Sequence, residues 1–125
     1  MTVHFTIPGR LPGLNEYIRT CRSNKQMANE MKQTTEESIA WVLRAQCKQE
    51  FTAPVWIGFT WYEPNARRDY DNISGMGRKL ILDAMQKAGL IGNDNRRYIA
   101  GFDKEVFLVD KDNPRVVVTV TEVDE

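Results

Sequence analysis

The sequence predicts a single α+β domain over residues 1–125, a small mixed sheet of about four strands with two α-helices on one face. Three observations lead there. Two segments, Thr2–Ile7 and Val55–Tyr62, alternate or are dense in aromatic and β-branched residues. Two later stretches repeat apolar residues at helical spacing, and two extended runs close the chain, giving the order β, α, β, α, β, β. A length of 125 residues suits one core and is too short for two.

Each element carries its own signal. Thr2 to Ile7 is closed by Pro8-Gly9, a turn pair. Residues 9–30 are rich in Gly, Pro, Asn and Arg, which predicts a long loop, a feature often functional in a compact domain. Thr34-Thr35-Glu36-Glu37 has the spacing of a capping box. After it Ile39, Val42, Leu43, Cys47 and Phe51 predict a helix ending at Ala53-Pro54. Val55–Tyr62 is a strand, broken by Pro64-Asn65. Ile73, Met76, Leu80, Ala84, Met85 and Ala88 mark a second helix, with Gly89 as its left-handed cap. Tyr98–Val109 and Arg115–Val123 are strands joined by Asp110–Pro114, a connection that resembles a hairpin.

Composition excludes several classes. The 42% hydrophobic and 27% charged content is that of a globular protein, and no apolar run approaches the roughly 18 residues of a membrane span. The start, Met1-Thr2-Val3-His4-Phe5, lacks the basic-then-apolar pattern of a signal peptide, so a cytoplasmic protein without a membrane partner is expected. Cys21 and Cys47 form no CxxC, which points to free thiols. The net charge is zero but unevenly spread: residues 67–104 carry a net of +3 and residues 105–125 a net of −4. A basic surface can therefore exist on a neutral chain.

The densest chemistry is Arg67-Arg68-Asp69-Tyr70-Asp71-Asn72, followed by Asp94 in Gly92-Asn93-Asp94-Asn95. At an extended strand end, positions i and i+2 point the same way, so Asp69 and Asp71 are expected to converge. Converging carboxylates attract a hard divalent cation, and the surrounding arginines suit an anionic second ligand such as phosphate. The plainer reading is local capping, with Asn72 or Ser74 starting the second helix. An EF-hand is excluded, because its ligand positions fall on Ile73 and Leu80. Lys79 and Asp83 stand at i, i+4 and suit an ordinary ion pair. His4, the single histidine, falls in the first strand away from the acidic motif, and Trp41, Trp56 and Trp61 suit core or interface positions.

Taken together, R-R-D-Y-D-N, then Lys79-x-x-x-Asp83-Ala84-Met85-x-Lys87-Ala88-Gly89, then Asn93-Asp94 resembles the RusA family of Holliday junction resolvases. Leu14-Asn15-Glu16-Tyr17 and the final strand match that family in character, so the resemblance spans nearly the whole chain. It implies a RusA-like fold and a crossover junction endodeoxyribonuclease that resolves four-way DNA by paired nicks in recombination or repair. It further implies Mg²⁺, with Mn²⁺ as an alternative, held by Asp69, Asp71 and Asp94, and Lys79 as the catalytic lysine. Arg67, Arg68, Arg78, Arg96 and Arg97 would bind DNA phosphates, and a homodimer would match the two-fold junction. Arg10, Arg19, Arg22 and Lys25 are candidates for a junction arm or a dimer partner.

Two departures stand out. Ser74-Gly75-Met76-Gly77 reads as an insertion ahead of Lys79, resembling phage and prophage variants, and Asn93 replaces a frequent aspartate. They motivate the alternative of a branched-DNA-binding protein with weakened catalysis.

Overall fold

The computed structural model describes residues 2–123. Seven elements follow in order: β1 (Thr2–Pro8), α1 (Leu14–Ser23), α2 (Lys25–Gln46), β2 (Val55–Glu63), α3 (Tyr70–Lys87), β3 (Ile99–Val109) and β4 (Arg115–Glu122). They form a mixed four-stranded sheet of order β1-β4-β2-β3 with three helices, an α+β architecture as expected, with one helix more than the sequence reading foresaw.

The buried face of the sheet follows from period-2 alternation and register. Phe5, Val118 and Phe59 stand in one cross-strand row, and Ile7, Val116 and Trp61 in the next. These side chains are almost fully buried with Ile39 and Leu43 of α2 and Leu80, Ile81 and Met85 of α3, forming one core. The other face is polar on β1, where Thr2 and His4 meet Thr121 and Thr119 at 3.2 and 3.1 Å. His4 is thus a strand residue paired to a hydroxyl. Of the tryptophans, Trp61 is core, whereas Trp41 and Trp56 are exposed.

Three expectations are corrected. First, residues 9–30 are not a long loop. Leu14, Tyr17, Ile18 and Cys21 repeat at i, i+3, i+4 and i+7, and Leu14 and Tyr17 pack against the core, so a short helix forms between Gly13 and Asn24. Asn24 then caps α2, its side chain accepting from the Gln26 and Met27 amides at 3.0 and 3.1 Å. The capping-box sequence lies inside α2, where the Thr35 hydroxyl instead donates to the Met31 carbonyl. Second, α2 ends at Gln46, and Phe51 enters the core from the following segment, its amide bonded to the Leu90 carbonyl. Third, β3 and β4 are not a hairpin. β4 is a valine-rich strand hydrogen-bonded on both sides, so it sits between β1 and β2, while β3 lies parallel to β2 at the edge. The link between them crosses the end of β2, where the Asp110 amide donates to the Glu63 carbonyl.

α3 is continuous through Ser74–Gly77, so the apparent insertion is one more helical turn. It ends as expected: Gly89 has φ +76, and the Leu90 amide reaches back to the Met85 carbonyl. The two glycines of the extra turn differ in kind. A Cβ at Gly77 would lie 2.5 Å from the Trp61 ring, whereas one at Gly75 would meet only a Leu14 methyl at 3.2 Å. That methyl borders a cavity of about 330 Å³ and has room to yield.

Gly77→Ala is therefore expected to destabilise the protein by about 1–3 kcal/mol through overpacking against a rigid ring. Gly75→Ala is expected to be neutral or stabilising by up to about 1 kcal/mol, because helix propensity dominates there. Urea unfolding of the two variants measures both, and equal effects would contradict the packing.

Candidate metal and phosphate site at the start of α3

β2 stops at Glu63, six residues before Asp69, so the two aspartates do not lie on a strand end as expected. Asp69 is instead the N-cap of α3, with extended backbone and a side-chain oxygen accepting from the Asn72 amide at 3.2 Å. The local capping reading holds in kind, although the cap is Asp69 rather than Asn72 or Ser74. Asp71 follows in the first turn and is exposed, with no ion pair or side-chain hydrogen bond among the described residues. Negative charge at this end of a helix is favoured by the unpaired amides, worth about 0.3–1 kcal/mol for each exposed group.

Asn72 ties the site to α1, its Oδ1 accepting from the Asn15 amide at 2.9 Å. Arg68 is committed inward. Its side chain is 11% exposed, donates to the Leu11 carbonyl at 2.8 Å, and lies 3.8 Å from Glu63 and 3.7 Å from Glu16. Burial lowers its pKa from the usual guanidinium value, and the nearby Arg10 charge adds to that. Arg10 approaches the same Glu63 carboxylate at 4.0 Å. Arg10, Arg19 and Arg68, with Asn15, Glu16 and Asn72, line a cavity of about 430 Å³.

The remaining expected residues are spread. Arg67 is exposed beside the aspartates. Arg78 donates to Glu105 at 3.2 Å and lies 4.4 Å from the Phe102 ring centroid, locking α3 to β3. Lys79 is exposed and pairs with Asp83 at 3.6 Å, as its i, i+4 spacing predicts. It stands eight residues beyond Asp71, about 12 Å along the helix axis. Asp94, Arg96 and Arg97 are exposed in the turn after α3, just ahead of β3. The first residue of β3 pairs with the first of β2, so this turn lies at the opposite end of the sheet from Glu63 and Asp69. An 18-residue α3 separates the two ends by about 27 Å. One chain thus places Asp69 and Asp71 two residues apart at the helix start, without the shared direction a strand would give them, and keeps Asp94 at the far end.

Among the described residues, no three His, Cys, Asp or Glu side chains come together as a metal-holding group. Two carboxylates are still a suitable donor set for Mg²⁺, which is commonly held by one or two carboxylates with waters and phosphate oxygens. No helix among the described residues is long and apolar enough to cross a membrane. No protein-family model matches the chain, and no curated protein matches it.

Sequence reasoning passed over two features. The convergence of Arg10 and Arg19 on Arg68 depends on how α1 folds back over α3. The other is Glu36 on α2, where helical spacing to Ile39, Ala40 and Leu43 did signal an inward face. Its carboxylate is buried, 3.1 Å from Lys87, with Oε2 lacking a hydrogen bond. Burial raises its pKa, opposed by Lys87 and reinforced by Asp83.

A carboxyl that holds its proton more tightly when folded loses stability as pH rises. The fall begins at the ordinary glutamate value of 4.5 and continues to the raised value. Glu36→Gln is expected to remove this fall and gain stability relative to wild type as pH increases. Thermal melts across about pH 4 to 8 test it, and parallel curves for the two proteins would contradict it.

Proposed function

We propose that this chain is a divalent-metal-dependent endonuclease that resolves four-way DNA junctions as a two-fold homodimer. The observation that carries the reading is the exposed Asp69–Asp71 pair at the start of α3, flanked by Arg67 and the arginine-lined cavity. The match in order to the RusA pattern supplies the substrate class.

Two carboxylates with spare oxygens suit Mg²⁺, which when bound would polarise a phosphoryl oxygen and lower the pKa of a water. The chain's own residues do the rest. Asp69 and Asp71 hold the ion at the helix start, and Arg67 contacts backbone phosphate, fixing position without reading bases. A third carboxylate from Asp94 requires a second copy, given the separation within one chain. The unpaired edge of β3 supports such a copy. It runs eleven residues and exposes Phe102, Val106, Leu108 and Val109, an edge that invites pairing. In antiparallel two-fold pairing along this edge, the beginning of one β3 lies beside the end of the other. The partner's Asp94-bearing turn would then approach the end where Tyr70 stacks on Phe107 at 4.2 Å, next to Asp69 and Asp71. Arg96 and Arg97 would arrive with it. A cytoplasmic location fits this activity.

The alternative, a branched-DNA-binding protein with weakened catalysis, draws on Lys79, which pairs with Asp83 a full 12 Å or so along the helix from Asp71.

Incubation of the protein with a labelled four-way junction and a linear duplex, with Mg²⁺ or with EDTA, separates these readings. Paired, metal-dependent nicks in the junction alone are expected. Asp71→Asn is expected to reduce cleavage at least about a hundredfold, as loss of a principal charge-bearing group does, while folding and junction binding persist. Binding without cleavage in the wild type would favour the alternative, and neither would overturn both.

A further inference from the structure

The cavity between α1 and the start of α3 has an excess of donors. Arg10, Arg19 and Arg68 converge on it with the carboxamides of Asn15 and Asn72. Glu63 is the buried partner of Arg10 and Arg68, leaving the half-exposed Glu16 as the one acidic lining residue, and it contacts Arg68 alone. Arg19 has no ion-pair partner among the described residues. Asn72 spends its Oδ1 on the Asn15 amide, so its Nδ2 remains available as a donor. Burial, and after it the Arg10 charge, lowers the pKa of Arg68 against the pull of Glu63 and Glu16, so the cation is held here at a cost. An anion in the cavity would relieve that cost. Gly13 keeps the space open, since a Cβ there would lie 2.6 Å from Asn72 Oδ1 and 3.2 Å from Arg68 Cζ.

We infer that this cavity is a binding site for a phosphate group, gripped by Arg10 and Arg19 and floored by Arg68 and Asn72. Guanidinium forks match phosphate oxygens in pairs, and three of them around one cavity exceed what the two local carboxylates neutralise. The phosphate can belong to a DNA strand or to a free phosphate-bearing molecule. Its assignment to DNA rests on the endonuclease reading: Asn72, which lines the cavity, belongs to the same first turn of α3 as Asp69 and Asp71, so a strand held here would pass their end of the helix.

The test combines two measurements on wild type, Arg10→Ala, Arg19→Ala and, as a control outside the cavity, Lys48→Ala. Arg19 is a surface side chain, unpaired among the described residues, and Arg10, itself exposed, leaves Glu63 its closer partner Arg68 when truncated. The fold is therefore expected to persist, with circular dichroism and thermal melts as the check. In ¹⁵N NMR, sodium phosphate is expected to shift the Arg19 Nε and Asn72 Nδ2 signals of the wild type, with sodium chloride as control, and the Asn72 shift is expected to be lost in both cavity variants. Junction affinity is expected to fall about three- to tenfold in each cavity variant, with a salt slope shallower by about one, and to be unchanged in Lys48→Ala. A phosphate response with unaltered junction affinity would overturn the DNA source and leave a site for free phosphate compounds. A phosphate response in a protein that binds no DNA would sink the endonuclease reading while upholding the cavity. No phosphate response and no loss of junction affinity would overturn the inference.

Discussion

Glu63 at the end of β2 is the charge around which the candidate-site end of the domain is organised. It is 7% exposed, and a carboxylate so placed is tolerated only with compensating partners. Arg68 supplies one charge from the segment before α3, and Arg10 supplies another from the segment after β1. Arg68 also donates to the Leu11 carbonyl and faces Glu16 on α1. One buried acid thereby fixes the entry to α3, the fold-back of α1 and the base of the cavity between them. Removing Arg68, the more buried of the two arginine partners, would typically cost about 3–5 kcal/mol, because an uncompensated charge is left behind. The exposed aspartates owe their placement to this pairing: their own contacts are only a helix cap and solvent.

How legible this was in the sequence depended on whether the signal was local. β1, β2 and α3 announced themselves through alternation, an aromatic and β-branched run, and a 3.6-residue apolar stripe ended by Gly89. α1 was hidden because Gly9, Pro12, Gly13 and Asn15 gave its surroundings a loop composition, while its apolar repeat spans only two turns. The placement of β4 between β1 and β2 was not readable from neighbouring residues, since strand order is set by long-range pairing rather than by a turn. Asp110–Pro114 has the composition of a hairpin turn and instead carries the chain across the end of β2.

The candidate site divides along the same line. Asp69 and Asp71 were found from local density, yet their geometry is that of a helix start rather than a strand end. Asp94 follows Asp71 by 23 residues in sequence, but α3 intervenes and carries it to the far end. Arg68 and Arg78 looked like surface cations, and burial beside Glu63 and Glu105 turned both into structural ties. Of the candidate cations among the described residues, Arg19 and Arg67 stand unpaired at one end, beside Arg10 at the rim of Glu63, and Arg96 and Arg97 at the other. A two-fold partner joined along β3 would unite them.

In the proposed dimer one catalytic centre is shared between two copies, Asp69 and Asp71 from one and Asp94 from the other. Mixing inactive Asp71→Asn and Asp94→Asn proteins under conditions of subunit exchange tests it directly. Shared centres predict that each mixed dimer contains one intact centre, restoring metal-dependent nicking to about a quarter of the wild-type level for random exchange. A mixture that exchanges subunits and binds junctions but stays inactive would contradict a shared centre, because centres built within single chains leave none intact.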